Sequence, residues 1–202
     1  MKKSFRLLLL CLLPLSLSGC VTALVGAGAF GVMSATDRRS TGAQADDQVM
    51  EVRIQNTALT HLRNNNTMQG FEPKLSVVSF NRKVLLMGLV ASEADKAFVE
   101  RVARAQPNAE KIYNYIQVAT SARGFGEVSN DSWVTSKVRT TLFGTKGVSS
   151  NHVKVVTYNG VTYVMGILTP EEQALVSNTV STTAGVQQVV TLYETFVPSN
   201  VR

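Results

Sequence analysis

The sequence predicts an α+β fold built twice in tandem, each copy an αββαβ unit with a three-stranded sheet packed against two helices. Three observations lead there. Val77-Val78-Ser79-Phe80-Asn81 matches Val155-Val156-Thr157-Tyr158-Asn159, and Leu86-Met87-Gly88-Leu89-Val90 matches Val164-Met165-Gly166-Ile167-Leu168, both at an offset of 78 residues without a gap. Self-similarity of this kind marks a duplicated unit. Within each copy two β-rich runs meet at a tight turn, Asn81-Arg82 or Asn159-Gly160. Asn-Gly between alternating apolar runs is a strong hairpin signal, because both central positions of a type I′ turn need φ > 0. Helix-start signals follow each hairpin: Ser92-Glu93-Ala94-Asp95 in the first copy, and in the second Thr169-Pro170-Glu171-Glu172, a capping box with Pro at the first helical position.

The chain of 202 residues is 45% hydrophobic and carries a formal charge of +6. That is enough apolar material for one ordinary domain or two small ones, and a poor match to disorder or to a polytopic membrane protein. Lys2, Lys3 and Arg6 precede an apolar run, Leu7 to Leu17, broken by Pro14. The run falls short of the roughly 20 residues of a spanning helix, so residues 1–19 read as a secretory signal. It ends in Leu17-Ser18-Gly19-Cys20, which resembles the bacterial lipobox. Cys20 would become the first residue of the mature chain, acylated on its thiol and on its new amine, and Val21 in place of Asp favours sorting to the outer membrane. With Cys11 removed and Cys20 lipidated, no thiol remains for a disulfide or a metal. Losing three of the 20 cations leaves 17 against 14 acidic residues, a net of +3, and the case for a nucleic-acid partner goes with them.

Residues 20–45 follow as lipidated N-terminus and linker. Val21 to Met33 is apolar and glycine-rich, either a segment lying on the membrane or else a flexible leash or a strand-like segment packed on the body, and Ser34 to Ala45 is polar. The first domain is expected over 46–120, a hinge with Gly124 and Gly126 over 121–127, the second domain over 128–197, and a tail over 198–202. In the helix after the first hairpin, Ala94, Ala97, Phe98, Val102 and Ala105 recur at helical spacing and read as the face on the sheet, leaving Asp95, Lys96, Glu100 and Arg104 to water. Asp46-Asp47 and Glu171-Glu172 read as helix N-terminal charges that complement the macrodipole. Asp131 to Phe143 reads as the first helix of the second domain, with Val134, Val138 and Leu142 inward at i, i+4 and i+8.

The repeated hairpin with Met-Gly at the end of its second strand, followed by a capped helix and a final strand, resembles the BON domain. Two copies behind a lipobox resemble the dual BON-domain outer-membrane lipoproteins across essentially the whole mature length. Local matches are Asp37-Arg38-Arg39-Ser40-Thr41-Gly42-Ala43-Gln44, Tyr113-Asn114, and Asn130-Asp131-Ser132-Trp133-Val134-Thr135-Ser136-Lys137-Val138-Arg139. Two departures stand out: Arg82 occupies the turn position that Gly160 holds in the other copy, and Asn108-Ala109-Glu110 stands where the second copy has Gly185-Val186. The resemblance implies a periplasmic, non-enzymatic protein without a cofactor that supports outer-membrane integrity and concentrates at sites of division. It also implies recognition of anionic phospholipid, phosphatidylglycerol-like, through the second domain.

The residues themselves point to binding rather than catalysis. His61 and His152 fall in different copies and have no matched nucleophile. No His-x-x-x-His or EF-hand spacing occurs, and neither a P-loop nor a Rossmann fingerprint is present. Trp133, the only Trp of the chain, lies beside the inward stripe, with Lys137 one turn beyond, Arg139 on the opposite flank and Lys146 just after the helix. That mixture suits a membrane interface. The other reading has Trp133 capping the domain core or filling the interface between the domains, and the resemblance favours lipid. The expected lipid-binding set on this helix is Trp133, Val134, Lys137, Val138, Arg139, Leu142 and Lys146, with the acyl chains on Cys20 supplying the stable hold on the outer membrane. The alternative partner is an envelope-assembly or division protein, held by Trp133 and exposed strand edges.

Overall fold

The computed structural model describes residues 37–198; the expected signal, Cys20 and most of the expected tail lie outside the described residues. The first half runs α1 (Thr41–Asn65), β1 (Lys74–Phe80), β2 (Lys83–Val90), α2 (Glu93–Arg104) and β3 (Lys111–Val118). The second half runs α3 (Phe125–Phe143), a 3₁₀ turn (Ser150–His152), β4 (Val153–Tyr158), β5 (Val161–Leu168), α4 (Pro170–Ser181) and β6 (Gln188–Thr195). Each is an αββαβ unit. In each sheet the second hairpin strand is central, antiparallel to the first and parallel to the last. α2 and α4 are the crossovers that parallel pairing requires. The Met-Gly motif marks where the hairpin strands come too close for a side chain: a Cβ on Gly88 would lie 2.4 Å from the Lys74 carbonyl oxygen.

Three local expectations need correction. α1 begins at Thr41, inside the stretch read as linker, because Ser40 Oγ accepts the Ala43 amide at 3.1 Å as an N-cap. α3 begins at Phe125, inside the stretch read as hinge, because the Glu127 carboxylate accepts the Gly124 amide at 2.6 Å and closes the first turn. On α2 the buried residues are Val99 and Ala103, with Val102 beside them, whereas Ala94, Ala97 and Ala105 face solvent. The polar side of α2 is held by specific bonds, Ser92 Oγ to Asp95 at 2.8 Å and Asn114 Nδ2 to Glu100 at 2.8 Å. That turns the β-branched Val99 rather than the small alanines toward the sheet.

β2 and β5 are apolar almost throughout and buried on both faces. Since side chains alternate along a strand, Val84, Leu86 and Val90 join Ile54, Leu62, Val99 and Ala103 in a core under the helices, while Leu85 and Met87 point the other way. There, with Phe80, they meet Tyr163, Met165, Ile167 and Leu192 of the second half. The layer order is therefore helices, sheet, sheet, helices, and the body from Asp37 onward is one compact unit. Polar contacts repeat across the junction in near-two-fold fashion, as an isologous interface demands. Asn81 Nδ2 donates to the Glu194 carboxylate at 3.1 Å, and its counterpart Asn159 Nδ2 donates to Gln117 Oε1 at 3.0 Å. Two ion pairs outside that symmetry also cross the junction, Lys83 with Glu194 at 2.5 Å and Lys154 with Glu51 at 2.6 Å. Ahead of α1, Arg38 reaches the second half: it donates to the Ile167 carbonyl at 2.7 Å, forks onto Glu172, and lies 4.1 Å over the Phe196 ring.

Candidate functional site

Each unit locks its first helix to its hairpin through a buried carboxylate. Asp47, 2% exposed, accepts the amides of Asn81 at 2.8 Å and Arg82 at 2.7 Å and the Ser79 hydroxyl at 2.7 Å. It also pairs with Arg39, whose guanidinium lies 4.2 Å over the Phe80 ring. Asp131, 5% exposed, accepts the amides of Asn159 at 2.7 Å and Gly160 at 3.0 Å and pairs with Arg123, which lies 4.3 Å over Tyr158. Burial pushes the Tyr158 phenol up, with Arg123 opposing. Asp46-Asp47 are thus not first-turn dipole charges. Asp47 holds the turn while Asp46 pairs with Arg82 at 2.8 Å, and Arg82 has φ 62° where Gly160 serves in the second copy. Glu171 and Glu172 do lie in the first turn of α4, and Glu172 completes its capping box. A signal for the lock was present in the sequence: Arg39 and Asp47 have the same spacing as Arg123 and Asp131, a second repeat out of register with the first.

That lock positions α3. Val134, Val138 and Leu142 are 1%, 0% and 2% exposed and belong to the core of the second half. As members of the expected lipid-binding set they need correction: they hold the helix and cannot reach a bilayer. Trp133 is 53% exposed and absent from the core between the sheets. Its ring lies on Gly185, where φ is 99° and a Cβ would come within 2.7 Å of Trp133 Cζ3. Lys137 Nζ sits 4.5 Å from the ring centroid, a cation–π pair at the surface. Arg139 donates to the Val155 carbonyl at 3.1 and 2.6 Å, tying α3 to the free edge of β4. Lys146 follows the helix and is exposed. Two aromatic residues outside the expected set, Phe125 and Phe143, are 88% and 80% exposed; their position away from the inward stripe was the available signal.

A groove of about 480 Å³ runs between α3 and β4, lined by Arg139, Phe143, Val153 and Lys154 among others. The corresponding groove of the first unit, about 390 Å³, is lined by Glu51, Gln55 and Asn56. One architecture therefore presents cations and an aromatic ring in the second unit and amides with a carboxylate in the first. The two histidines are apart: His61 stacks on Phe98 at 3.6 Å, and His152 lies 3.9 Å from Glu172. Among the described residues, no three His, Cys, Asp or Glu side chains gather as a metal would need.

The BON-domain family model matches residues 51–120 and 130–192. The outer membrane lipoprotein DolP of Haemophilus influenzae is 30% identical over 178 residues, 88% of this chain and 89% of that protein. The 21 kDa hemolysin of Actinobacillus pleuropneumoniae is 29% identical over 154 residues, 76% of each chain. A solved structure of CdsD, a structural protein of the type III secretion system of Chlamydia trachomatis, aligns with a TM-score of 0.29 at 16% identity, covering 73% of this chain and 63% of that one. The two matched segments fall within the two αββαβ units, and the chain belongs to the BON-domain family, with the domain present twice in tandem.

Proposed function

We propose that this chain is an outer-membrane-anchored periplasmic lipoprotein that binds anionic phospholipid, of the phosphatidylglycerol type, through α3 of its second BON domain, and so supports outer-membrane integrity. The observation that carries the reading is the pair Trp133 and Lys137, an indole half out of the body with an ammonium 4.5 Å over it. An indole favours the zone where one end is apolar and the other wet, and a lysine buries its stem while holding its charge at phosphate level. Similarity over most of the chain to an outer-membrane lipoprotein supports the location, and Cys20 in its lipobox supplies the anchor.

The helix alone is a weak binder. Each cation near an anionic leaflet contributes roughly 1 kcal/mol. Arg139 is engaged with Val155 and Lys154 with Glu51, which leaves Lys137 and Lys146 as the freest charges of the group. Acyl chains on Cys20 hold the protein at the surface, and the raised local concentration lets a weak headgroup site respond to lipid composition. In this reading the chain works by binding rather than by catalysis. A protein partner added to the edge of β1 or β4 has less support, because helix side chains already bond backbone groups there. Gln55 donates to the Leu75 carbonyl and Glu51 accepts the Ser79 amide, while Thr135 accepts the Thr157 amide beside Arg139 and Val155.

The test is vesicle binding by a soluble form that starts at Asp37, since a start at 46 would cut away the Ser40 cap and the Arg38 contacts. Binding is expected with anionic and not zwitterionic vesicles, to weaken with salt, and to be lost in Trp133→Ala and Lys137→Glu. Retained binding by both variants, or equal binding to zwitterionic lipid, would sink the reading.

A further inference from the structure

We propose that the outer edge of β6 is a docking edge for an extended segment of a protein partner, which adds a strand to the second sheet. The proposal is independent of the phospholipid reading, since it concerns another element and another class of ligand. Each three-stranded sheet has two outer strands, β1 and β3 in the first unit and β4 and β6 in the second. An outer strand presents a row of unpaired N–H and C=O groups, and folded proteins blunt such rows with lysine, proline or covering groups.

β1, β3 and β4 are blunted. Gln55 and Glu51 bond the backbone of β1 at Leu75 and Ser79, and Arg139 and Thr135 bond that of β4 at Val155 and Thr157. On β3, Asn114 Oδ1 accepts the Ile116 amide at 3.1 Å while its Nδ2 is held by Glu100. Each of these strands also carries a lysine, Lys74 on β1, Lys111 on β3 and Lys154 on β4. β6 contains neither lysine nor proline. Phe196 donates to the Leu168 carbonyl at 2.8 Å, so its amide faces β5. Strand alternation then turns the amides of Val189, Thr191, Tyr193 and Thr195 away from the sheet. Among the described residues, no side chain bonds the backbone of those four. The neighbouring helix reaches only their side chains: Gln173 donates to the Thr195 hydroxyl at 3.2 Å, and Ser177 meets the Tyr193 hydroxyl at 3.1 Å.

The chemistry of this row identifies its occupant. Donors and acceptors alternate along about 26 Å of β6, at the two-residue repeat of a strand. An extended polypeptide backbone carries the matching row, whereas a phosphate or a sugar meets one or two of its groups. Charge narrows the class further. The one charged residue of β6, Glu194, is taken by Lys83 at 2.5 Å and by Asn81, and α4 carries no charge after Glu172. The edge is therefore neutral. Its complement is an uncharged strand rich in β-branched residues, held by main-chain bonds and insensitive to salt.

The experiment uses the full acylated chain in phosphatidylcholine nanodiscs, so that anionic lipid plays no part. The probe is a fluorescent peptide, Lys-Thr-Val-Thr-Val-Thr-Val-Lys, and the control of equal charge has Pro in place of its central Thr. Anisotropy is expected to show the probe binding, with less than about twofold change between low and high salt, and the control not binding. Residue-resolved hydrogen–deuterium exchange is expected to slow at Val189, Thr191, Tyr193 and Thr195 when the probe is added. Thr191→Pro removes one outward N–H, which an outer strand tolerates, and is expected to weaken binding at least tenfold, while Thr191→Ser binds as the wild type. If Thr191→Pro lowers Tm, the exchange map alone decides. No binding of the probe, equal binding of the control, equal binding by a folded Thr191→Pro variant, or protection at another strand overturns the proposal. Slow exchange of the four amides before the probe is added also overturns it. The edge is then filled by a second copy where the protection fades on dilution, and by the chain's own leading segment where it does not.

Discussion

Replacing Asp131 with alanine tests the lock between helix and hairpin. The change removes a carboxylate that accepts the amides of Asn159 and Gly160 at 2.7 and 3.0 Å and pairs with Arg123, whose side chain is 9% exposed. Removing one member of a buried ion pair costs about 3–5 kcal/mol, because the other charge is left without compensation. Each orphaned amide adds about 1–3 kcal/mol when water cannot replace the acceptor. Asn159 is exposed at the turn, so water recovers part of that second contribution. The ion pair and the two amides share one carboxylate, so their contributions overlap rather than add, and the expected loss is about 3–5 kcal/mol, a large fraction of the roughly 5–15 kcal/mol of a typical native protein. For a body of this size that lowers Tm by about 10 °C or more. Asp131→Asn keeps one acceptor oxygen but no charge and should lose about half as much. Urea unfolding followed by Trp133 fluorescence reads the second domain directly, because no other Trp contributes. A loss below about 1 kcal/mol for Asp131→Ala would mean that water satisfies the turn and Arg123, and that the repeated Arg–Asp pair is not what holds α3 in place.

Three further outcomes are expected. Gly185→Ala should cost about 2–4 kcal/mol from a left-handed backbone combined with a 2.7 Å approach to the indole, and it should shift Trp133 emission; unchanged emission would contradict the seat of the ring on Gly185. Burial between the sheets pushes the Tyr163 phenol up to about 12, so its neutral form is favoured by folding. The stability it contributes is complete below the ordinary phenol value of about 10 and is lost as pH rises from there toward about 12. Tyr163→Phe should flatten part of the alkaline fall in Tm, and an identical alkaline limb in that variant would argue against it. Burial opposes ionisation of Glu172, but the Arg38 guanidinium and the Thr169 amide more than offset it and hold the carboxyl below its usual range. That contribution is present above the ordinary carboxylate value and is lost as pH falls through the lowered one. Arg38→Ala should therefore cost about 1–3 kcal/mol at neutral pH and leave a shallower acid limb; equal limbs in wild type and variant would show that the pair contributes nothing.

What the sequence determined by itself is whatever depends on a few consecutive residues. The hairpin at Asn159-Gly160, the capping box from Thr169 to Glu172 and the doubled αββαβ order follow from turn chemistry, cap chemistry and periodicity, and each is complete within one window of the chain. The stripe on α2 was misread by that same window, because its apolar residues lie on more than one side and only Asn114 on the neighbouring strand fixes which side is polar. The continuous apolar run of β2 suits a strand buried on both faces, but the sequence analysis placed only helices against the sheet, because its second partner, the sheet around Tyr163 and Met165, lies about eighty residues along the chain and has no local signature. The first helix of the second unit divides the same way. Its residue types were legible, whereas the outward position of Trp133 is set by Gly185 beneath it, the exposed stripe is separated from the stripe that packs by the docking of α3 on β4, and the lock through Asp131 requires a turn twenty-eight residues away. Tertiary structure decides these points because each is a contact between distant segments, and one stretch of sequence carries only one side of it.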